Sequence, residues 1–172
     1  MPLLDIEFAE SKMQTMSENK KTKQNILVVG AGNILLGDEG IGIHVIRELE
    51  KLTLPDNVEI MDIGVFSLSL ISHITGKEKV IIIDALKSGG SPGSIYRLSV
   101  DNLEWNKKDY LSLHQLGIEE MLCFLKEEIP KEKIIIIGIE PGEIRWGMEL
   151  SPCLKEKIPQ IVKLVVEEIK RS

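Results

Sequence analysis

Short, purely aliphatic runs recur along this sequence and limit the folds that it can adopt. Three of them, Ile26–Val29, Val80–Ile83 and Ile134–Ile137, contain only isoleucine, leucine and valine. A strand with one solvated face alternates apolar and polar residues, whereas a strand covered on both faces is a continuous apolar run. The runs are also far shorter than the roughly 20 apolar residues that cross a bilayer. The sequence therefore predicts a mostly parallel sheet buried between layers of helices.

Helical patterns between these runs give the chain an alternating order of strands and helices. Strands are predicted over residues 26–29, 58–61, 80–83, 94–100 and 133–139, and helices over about 38–52, 67–74, 115–128 and from 151 onward. Residues 87–93 leave no room for a crossover helix, so the fourth strand should run antiparallel to the third. This order predicts a three-layer α/β/α sandwich around a twisted, mostly parallel five-stranded sheet with one antiparallel strand. Pro159 falls early in the last helix and is expected to mark its true start.

The first 24 residues differ in composition from the rest of the chain. They are polar and rich in Lys, Glu, Ser and Met, so residues 1–24 are expected to form a disordered or loosely ordered tail. Residues 25–172 are expected to form a single α/β domain, a size that one hydrophobic core can support.

Charge and cysteine usage exclude several classes of protein. The formal net charge is −6, which argues against a nucleic-acid protein because such proteins usually carry a basic stripe. Cys123 and Cys153 are the only cysteines and lie in no metal-binding or redox spacing. The N-terminus has no continuous apolar signal segment. We therefore expect a cytoplasmic monomer that binds no nucleic acid and no membrane.

Ionisable side chains follow several of the predicted strands. Asp38 and Glu39 lie in the glycine-rich turn after the first strand, and Asp62 ends the second. Asp84 ends the third strand, and His114 ends the loop after the fourth. The carboxyl ends of parallel strands share one edge of a sheet, and the ligand crevices of open α/β sheets lie along that edge. We therefore expect these side chains to converge.

Several of these residues also have a purely structural interpretation. Asp38 is suited to be the N-cap of the following helix, where its carboxylate would accept hydrogen bonds from free N–H groups. Gly30 and Gly32 could begin a dinucleotide-binding turn, but Leu35 stands where the third glycine belongs. The two glycines could equally ease a tight turn between strand and helix. His114 alone could be a histidine at the start of a helix.

Glu39, Asp84 and His114 together would offer two carboxylates and one imidazole nitrogen. Zinc, nickel or a similar divalent ion accepts that donor set and keeps positions open for water or substrate. The same residues could instead perform metal-free acid–base chemistry, with one carboxylate holding a proton. The residues leave both chemistries open. The chain has neither a His-Glu-x-x-His helix nor a Gly-x-Ser-x-Gly elbow, so the common protease and esterase classes are not supported.

Four ordered segments of the chain carry motifs at consistent spacing. They are residues 30–42 (GAGNILLGDEGIG), residues 81–85 (IIIDA), residues 112–117 (SLHQLG), and residues 138–141 (GIEP) followed by 146–152 (WGMELSP). Together they resemble the motifs of the hydrogenase maturation proteases. The resemblance runs from about residue 26 to near the C-terminus.

The resemblance implies a cytosolic endopeptidase, aspartic-type or metal-assisted, that removes a C-terminal extension from a nickel hydrogenase large-subunit precursor after nickel insertion. Glu39, Asp84 and His114 match the family's metal-contacting positions, and the first two are the expected catalytic carboxylates. Asp38 matches the acidic residue before the glutamate and is expected to assist catalysis. The nickel carried by the precursor is the implied recognition handle, although zinc, cadmium or another divalent ion could occupy the site in vitro. A water activated by the ion or by a carboxylate would attack the peptide bond.

One segment departs from the family pattern. Where the family tends to read Asp-x-Gly-Thr-x-Gly, the chain keeps Asp62 and Gly64 but has Val65 and Ser67 in place of the threonine and second glycine. This loop is expected to shape the substrate cleft, so Asp62, Gly64 and Asn33 are predicted to bind substrate. Two rival functions stay open: a non-catalytic, metal-dependent chaperone for the precursor, and a Rossmann-like nucleotide-binding hydrolase.

Overall fold

A computed structural model describes residues 24–65, 70–102 and 125–171 of the chain. Its strands are β1 (Ile26–Ala31), β2 (Val58–Gly64), β3 (Lys79–Ala85), β4 (Ile95–Ser99) and β5 (Ile134–Ile139). Its helices are α1 (Ile41–Leu49), α2 (Leu70–Ile74) and α3 (Pro152–Lys170), with short 3-10 turns at Asp38–Gly40, Val100–Asn102 and Lys131–Lys133. The five strands form one sheet in the order β2-β1-β3-β5-β4.

The sheet is mostly parallel with one antiparallel edge strand, which confirms the predicted fold class. β1 pairs in parallel with β2 and β3, and β3 pairs in parallel with β5. β4 is antiparallel, but its neighbour is β5 rather than β3. Every residue of β5 is buried, whereas β4 is partly exposed. The fully apolar strand therefore takes the inner position and β4 the edge.

The two sides of the strands supply two hydrophobic cores, one on each face of the sheet. One core lies beneath α1 and α3 and includes Val28 and Ile81. The other lies beneath α2 and residues 125–129 and includes Leu27 and Ile82. Neighbouring strand residues thus point into different cores, which explains why the strands are apolar throughout.

Two helix boundaries differ from the prediction. α1 begins at Ile41 rather than near Asp38, because residues 38–40 form a 3-10 turn before it. α3 begins at Pro152 rather than at Pro159, since a proline in the first turn of a helix sacrifices no intrahelical hydrogen bond. Pro159 lies inside the helix on its exposed side.

Three predicted segments fall partly outside the described residues. They are the tail, of which residues 1–23 are not described, the helix over about 67–74, of which residues 67–69 are not described, and the helix over 115–128, of which only residues 125–128 are described and are helical. In the described part of the chain, no helix is long and apolar enough to cross a membrane.

Candidate active site

The turn after β1 brings the backbone of Glu39 and the carboxylate of Asp84 to the same glycine, Gly32. A Cβ atom on Gly32 would overlap the carbonyl oxygen of Glu39 and would lie 3.6 Å from Oδ1 of Asp84. Gly32 also has a φ of 129°, a conformation that side chains rarely allow. The two acidic residues can meet here only because position 32 has no side chain.

The structure therefore brings together two of the predicted catalytic residues at the carboxyl edge of the sheet. Glu39 and Asp84 are each 1% exposed. Oδ1 of Asp84 accepts a hydrogen bond from the backbone N–H of Ala85 at 2.8 Å. Burying a carboxylate is costly unless hydrogen bonds, cations or a ligand compensate it. Two such groups at the ligand-binding edge of an α/β sheet form a candidate active site.

Close packing of α1 on the sheet accounts for two other glycines of the opening motif. A Cβ atom on Gly30 would overlap the backbone of Gly42, and one on Gly42 would overlap the carbonyl oxygens of Ile83 and Ala31. Glycine is therefore needed where the helix meets β1 and β3 at backbone contact. This packing explains the glycines of the turn without a bound dinucleotide.

His114, the third member of the predicted metal site, lies outside the described residues. Among the residues that the structure describes, no three His, Cys, Asp or Glu side chains are arranged to hold a metal ion. The carboxylates of Glu39 and Asp84 are oxygen donors that divalent ions accept, so they fit two positions of the predicted set. The imidazole position, and with it the complete metal site, stays a prediction.

Asp38 does not cap the following helix, so that sequence-based interpretation is wrong. The N-cap position of α1 is Gly40, and no side chain caps the helix there. Asp38 is fully buried and instead accepts four hydrogen bonds from a distant loop. The donors are the N–H groups of Gly142, Glu143 and Ser151, and the hydroxyl of Ser151.

Backbone pairing joins the same segment, which we call the 142–151 loop, to the turn that carries Glu39. The N–H of Gly37 donates to the carbonyl of Gly147 at 2.7 Å, and the N–H of Gly147 donates to the carbonyl of Leu35 at 3.0 Å. Sequence reasoning missed this contact, because the paired segments lie far apart in the chain and no local pattern links them.

Asp62, Gly64 and Asn33, the predicted substrate residues, lie around Gly32 at the same edge. The N–H of Gly32 donates to the carbonyl of Gly64 at 3.0 Å. Oδ1 of Asp62 accepts from the N–H of Gly64 at 2.8 Å, and Oδ1 of Asn33 accepts from the N–H of Leu35 at 3.0 Å. Both side chains thus shape turns, and Asp62 is exposed to solvent. Their contact with substrate stays a prediction.

Glu140, directly after β5, is a buried carboxylate that sequence reasoning missed. It accepts hydrogen bonds from the N–H and hydroxyl of Ser88, the N–H of Gly89 and the hydroxyl of Tyr96. Burial would raise the pKa of Glu140, but the backbone N–H groups of Ser88, Gly90 and Gly89 and the Ser88 hydroxyl lower it below its ordinary value. An acidic residue at the end of an aliphatic strand, the signal that singled out Asp84, would have found it.

The sequence is similar to those of known hydrogenase maturation proteases. Residues 43–168 match the family model described as hydrogenase maturation protease. The hydrogenase 2 maturation protease of Escherichia coli is 33% identical over 151 residues, which cover 86% of this chain and 92% of that protein.

Two solved structures have the same fold. The hydrogenase maturating endopeptidase HybD from E. coli superposes with a TM-score of 0.75 and 34% identity, covering 86% of this chain and 93% of that chain. The NiFe hydrogenase maturation protease HycI from Thermococcus kodakarensis gives a TM-score of 0.72 and 25% identity, covering 91% of this chain and 99% of that chain. Since the family model spans well over half of the chain and sequence and backbone agree, this chain belongs to the hydrogenase maturation protease family.

Proposed function

We propose that this protein is an endopeptidase that removes the C-terminal extension of a nickel hydrogenase large-subunit precursor after nickel has been inserted. Family membership supports hydrolysis of a peptide bond in a hydrogenase subunit. The observation that carries the proposal is that Glu39 and Asp84 are both buried, and that the backbone of Glu39 and the carboxylate of Asp84 meet at Gly32 on the carboxyl edge of the sheet.

The two carboxylates would serve both recognition and hydrolysis. The nickel carried by the precursor is part of the substrate, and Glu39, Asp84 and His114 offer the oxygen and nitrogen donors that would contact it. Such contact would place the scissile bond beside the carboxylates. A carboxylate oxygen would then take the proton of the attacking water as general base. Burial supports this role, because electrostatic interactions are stronger in a site from which bulk water is excluded.

Incubation of the purified protein with nickel-loaded and nickel-free precursor tests the proposal, read by mass spectrometry of the precursor's C-terminus. We expect a C-terminal peptide to be lost from the nickel-loaded precursor only. Cleavage of both forms would support the protease activity but contradict recognition of the precursor through its nickel. Cleavage of neither form, across several hydrogenase subtypes, would contradict the proposal and favour the chaperone.

Glu39→Gln and Glu48→Gln form a matched pair of variants for this assay. Both replace a carboxylate by an amide of the same shape, but Glu48 is partly exposed and pairs with Lys51 at the surface. We expect Glu39→Gln to lose cleavage and Glu48→Gln to cleave like the wild type, because surface ion pairs contribute little. Equal cleavage by the two variants would remove Glu39 from the proposed machinery.

We further propose that the protein acts as a cytoplasmic monomer. Cys153, the one cysteine among the described residues, is an exposed free thiol, as is usual for proteins of a reducing compartment. Light scattering of the purified protein checks the oligomeric state, and a dimer mass would contradict it.

A further inference from the structure

We propose that Asp38 is a positioning residue that locks the 142–151 loop to the turn carrying Glu39, so that Trp146 on this loop contacts the precursor. The inference rests on the proposed function and deepens it. The sequence motif places Asp38 among the catalytic candidates, but the contacts of its side chain point to a different role.

The carboxylate of Asp38 accepts four hydrogen bonds from the loop. An ionised carboxylate has about four lone-pair sites on its two oxygens. Oδ1 accepts from the N–H of Ser151 at 2.6 Å. Oδ2 accepts from the N–H groups of Gly142 and Glu143 at 2.9 and 2.8 Å, and from the Ser151 hydroxyl at 2.8 Å. Because Oδ2 already accepts three hydrogen bonds and the side chain is fully buried, this carboxylate is poorly placed to contact water or a metal ion.

The same hydrogen bonds clamp both ends of the loop. Gly142 begins the loop, and Ser151 ends it directly before α3. Between them, the backbone of Gly37 bridges to Ile144 and donates to the carbonyl of Gly147. The carboxylate of Asp38 thus holds the two ends of the loop against the turn that carries Glu39, and backbone pairing holds its middle.

Held in this way, the loop presents apolar side chains to solvent. Trp146 is 80% exposed and Met148 is 53% exposed. Leu35, whose carbonyl pairs with the loop, is also exposed. Tryptophan is enriched among the side chains that dominate binding at protein interfaces. Because this surface continues into the turn that carries Glu39, its occupant is an apolar segment of the precursor whose scissile bond reaches Glu39 and Asp84.

Steady-state cleavage of the nickel-loaded precursor separates positioning from catalysis. For Asp38→Asn we expect KM to rise about tenfold, the effect of losing about one hydrogen bond to a charged group, with kcat within about threefold of wild type. KM should rise because the side-chain NH2 group of asparagine would face N–H donors of the loop and could not accept their hydrogen bonds. A drop in kcat of about a hundredfold at unchanged KM would overturn the proposal and make Asp38 a catalytic acid or base.

A double-mutant cycle with Trp146→Ala shows whether Asp38 acts through the loop. Trp146→Ala alone should raise KM. Adding Asp38→Asn should then raise KM by less than about twofold more, because both changes remove the same contact with the precursor. Effects on KM that simply multiply would contradict a role through Trp146.

Trypsin cleavage after Arg145 gives a readout that needs no substrate. Arg145 is an exposed residue of the loop, and the exposed Lys51 beyond α1 serves as internal reference. We expect Asp38→Asn to speed cleavage at Arg145 about tenfold with little change at Lys51, because only the loop is released. An unchanged rate at Arg145 rules the clamp out. Trypsin cleavage needs no precursor. It therefore tests whether Asp38 holds the loop even if the protein does not cleave the precursor and the proposed function is wrong.

Ser151→Ala provides a second variant should Asp38→Asn fail to fold. It removes only the hydroxyl donor and leaves the N–H of residue 151 in place. We expect KM to rise about threefold and cleavage at Arg145 to accelerate, both less than for Asp38→Asn, because a single neutral donor is lost. Wild-type values for both measurements would refute the proposal.

Discussion

The two ends of the sheet both bury carboxylates, but they compensate them in different ways. At the carboxyl edge, Asp38 and Glu140 accept hydrogen bonds from backbone N–H groups and hydroxyls. At the opposite end, the buried Glu168 of α3 is bound by Lys79 and Arg97. Backbone dipoles stabilise a carboxylate but leave its formal charge in place, whereas a cation cancels it.

The Glu168 group is a compact ionic cluster. Nζ of the buried Lys79 lies 2.9 Å from Oε1 of Glu168 and donates to its backbone carbonyl at 2.7 Å. Arg97 binds both carboxylate oxygens, at 2.7 and 2.9 Å. Burial would raise the pKa of Glu168, but hydrogen bonds from Arg97 and Lys79 and their charges hold it below its ordinary value. The cluster fastens the end of α3 to β3 and β4.

We infer that the ionic cluster at the Glu168 end stabilises the fold, whereas the carboxylates at the carboxyl edge serve the active site. Charge at the Glu168 end is neutralised by neighbours within the chain. At the carboxyl edge, hydrogen bonds from backbone N–H groups and a hydroxyl hold the pKa of Glu140 below its ordinary value, so this carboxylate favours its charged form without a bound cation side chain being the cause. If this division holds, substitutions at the carboxyl edge should reduce precursor cleavage, and substitutions at the Glu168 end should reduce stability.

Asp84→Asn at the carboxyl edge should have the largest effect. Its kcat/KM for the precursor should fall about 10²- to 10⁴-fold, the usual contribution of a general acid or base. The free energy of unfolding should change by less than about 1 kcal/mol, because the amide oxygen can still accept the hydrogen bond from Ala85. Precursor cleavage and urea unfolding measure the two quantities. Wild-type cleavage by a destabilised variant would make Asp84 a structural residue.

Glu168→Gln should show the reverse pattern. Loss of the carboxylate leaves the buried Lys79 without its counter-charge, so the free energy of unfolding should fall by about 3–5 kcal/mol, with precursor cleavage retained in the folded fraction. Glu167→Gln is the matched control, because Glu167 is the exposed neighbour and meets Lys163 only at 4.0 Å. It should cost less than about 0.5 kcal/mol. Equal urea midpoints for the two variants would contradict the structural role of the cluster.

Gly32→Ala should have the third-largest effect, on both stability and cleavage. The methyl group would overlap the carbonyl oxygen of Glu39 in a backbone with a φ of 129°, so roughly 3 kcal/mol of stability and most cleavage activity should be lost. Gly76→Ala isolates the backbone term, because Gly76 has a φ of 76° and open space around it. It should cost about 1 kcal/mol and leave cleavage unchanged. Thermal unfolding and precursor cleavage are measured for both glycine variants. Equal losses of stability and of cleavage in the two variants would mean that the contact with Glu39 is unimportant.

The pH dependence of stability should show the smallest effect. Because the pKa of Glu168 is lower in the folded than in the unfolded chain, its contribution is fully present above about pH 5 and is lost as the pH falls through the folded-state pKa. The stability difference between wild type and Glu168→Gln should therefore narrow on acidification. Urea unfolding of both proteins from about pH 7 to about pH 3 measures it. A constant difference would mean that ionisation of Glu168 is not its source.

The elements that were predictable are those with a local signature. The aliphatic run Ile134–Ile137 is predicted to be a buried strand, and the structure confirms it. A carboxylate at the end of such a run, as at Asp84, is predicted to lie at the sheet edge. The position of β4 had no such signature, because a short connection indicates direction but not neighbour. The N-cap role predicted for Asp38 is wrong for the same reason. Its sequence context is that of an N-cap, but the groups that donate hydrogen bonds to it belong to a distant segment.

Local patterns therefore predict the layered α/β architecture, the glycine turn and the edge that carries Glu39 and Asp84, because each depends on periodicity or on residues a few positions apart. The hydrogen-bond and ion-pair partners of Asp38 and Glu168 have no such local pattern, because they come from distant parts of the chain. Ser151 lies 113 positions from Asp38, and Arg97 lies 71 positions from Glu168. Contacts over such separations form when the whole sheet and its helices pack, and no local pattern selects one distant donor over another.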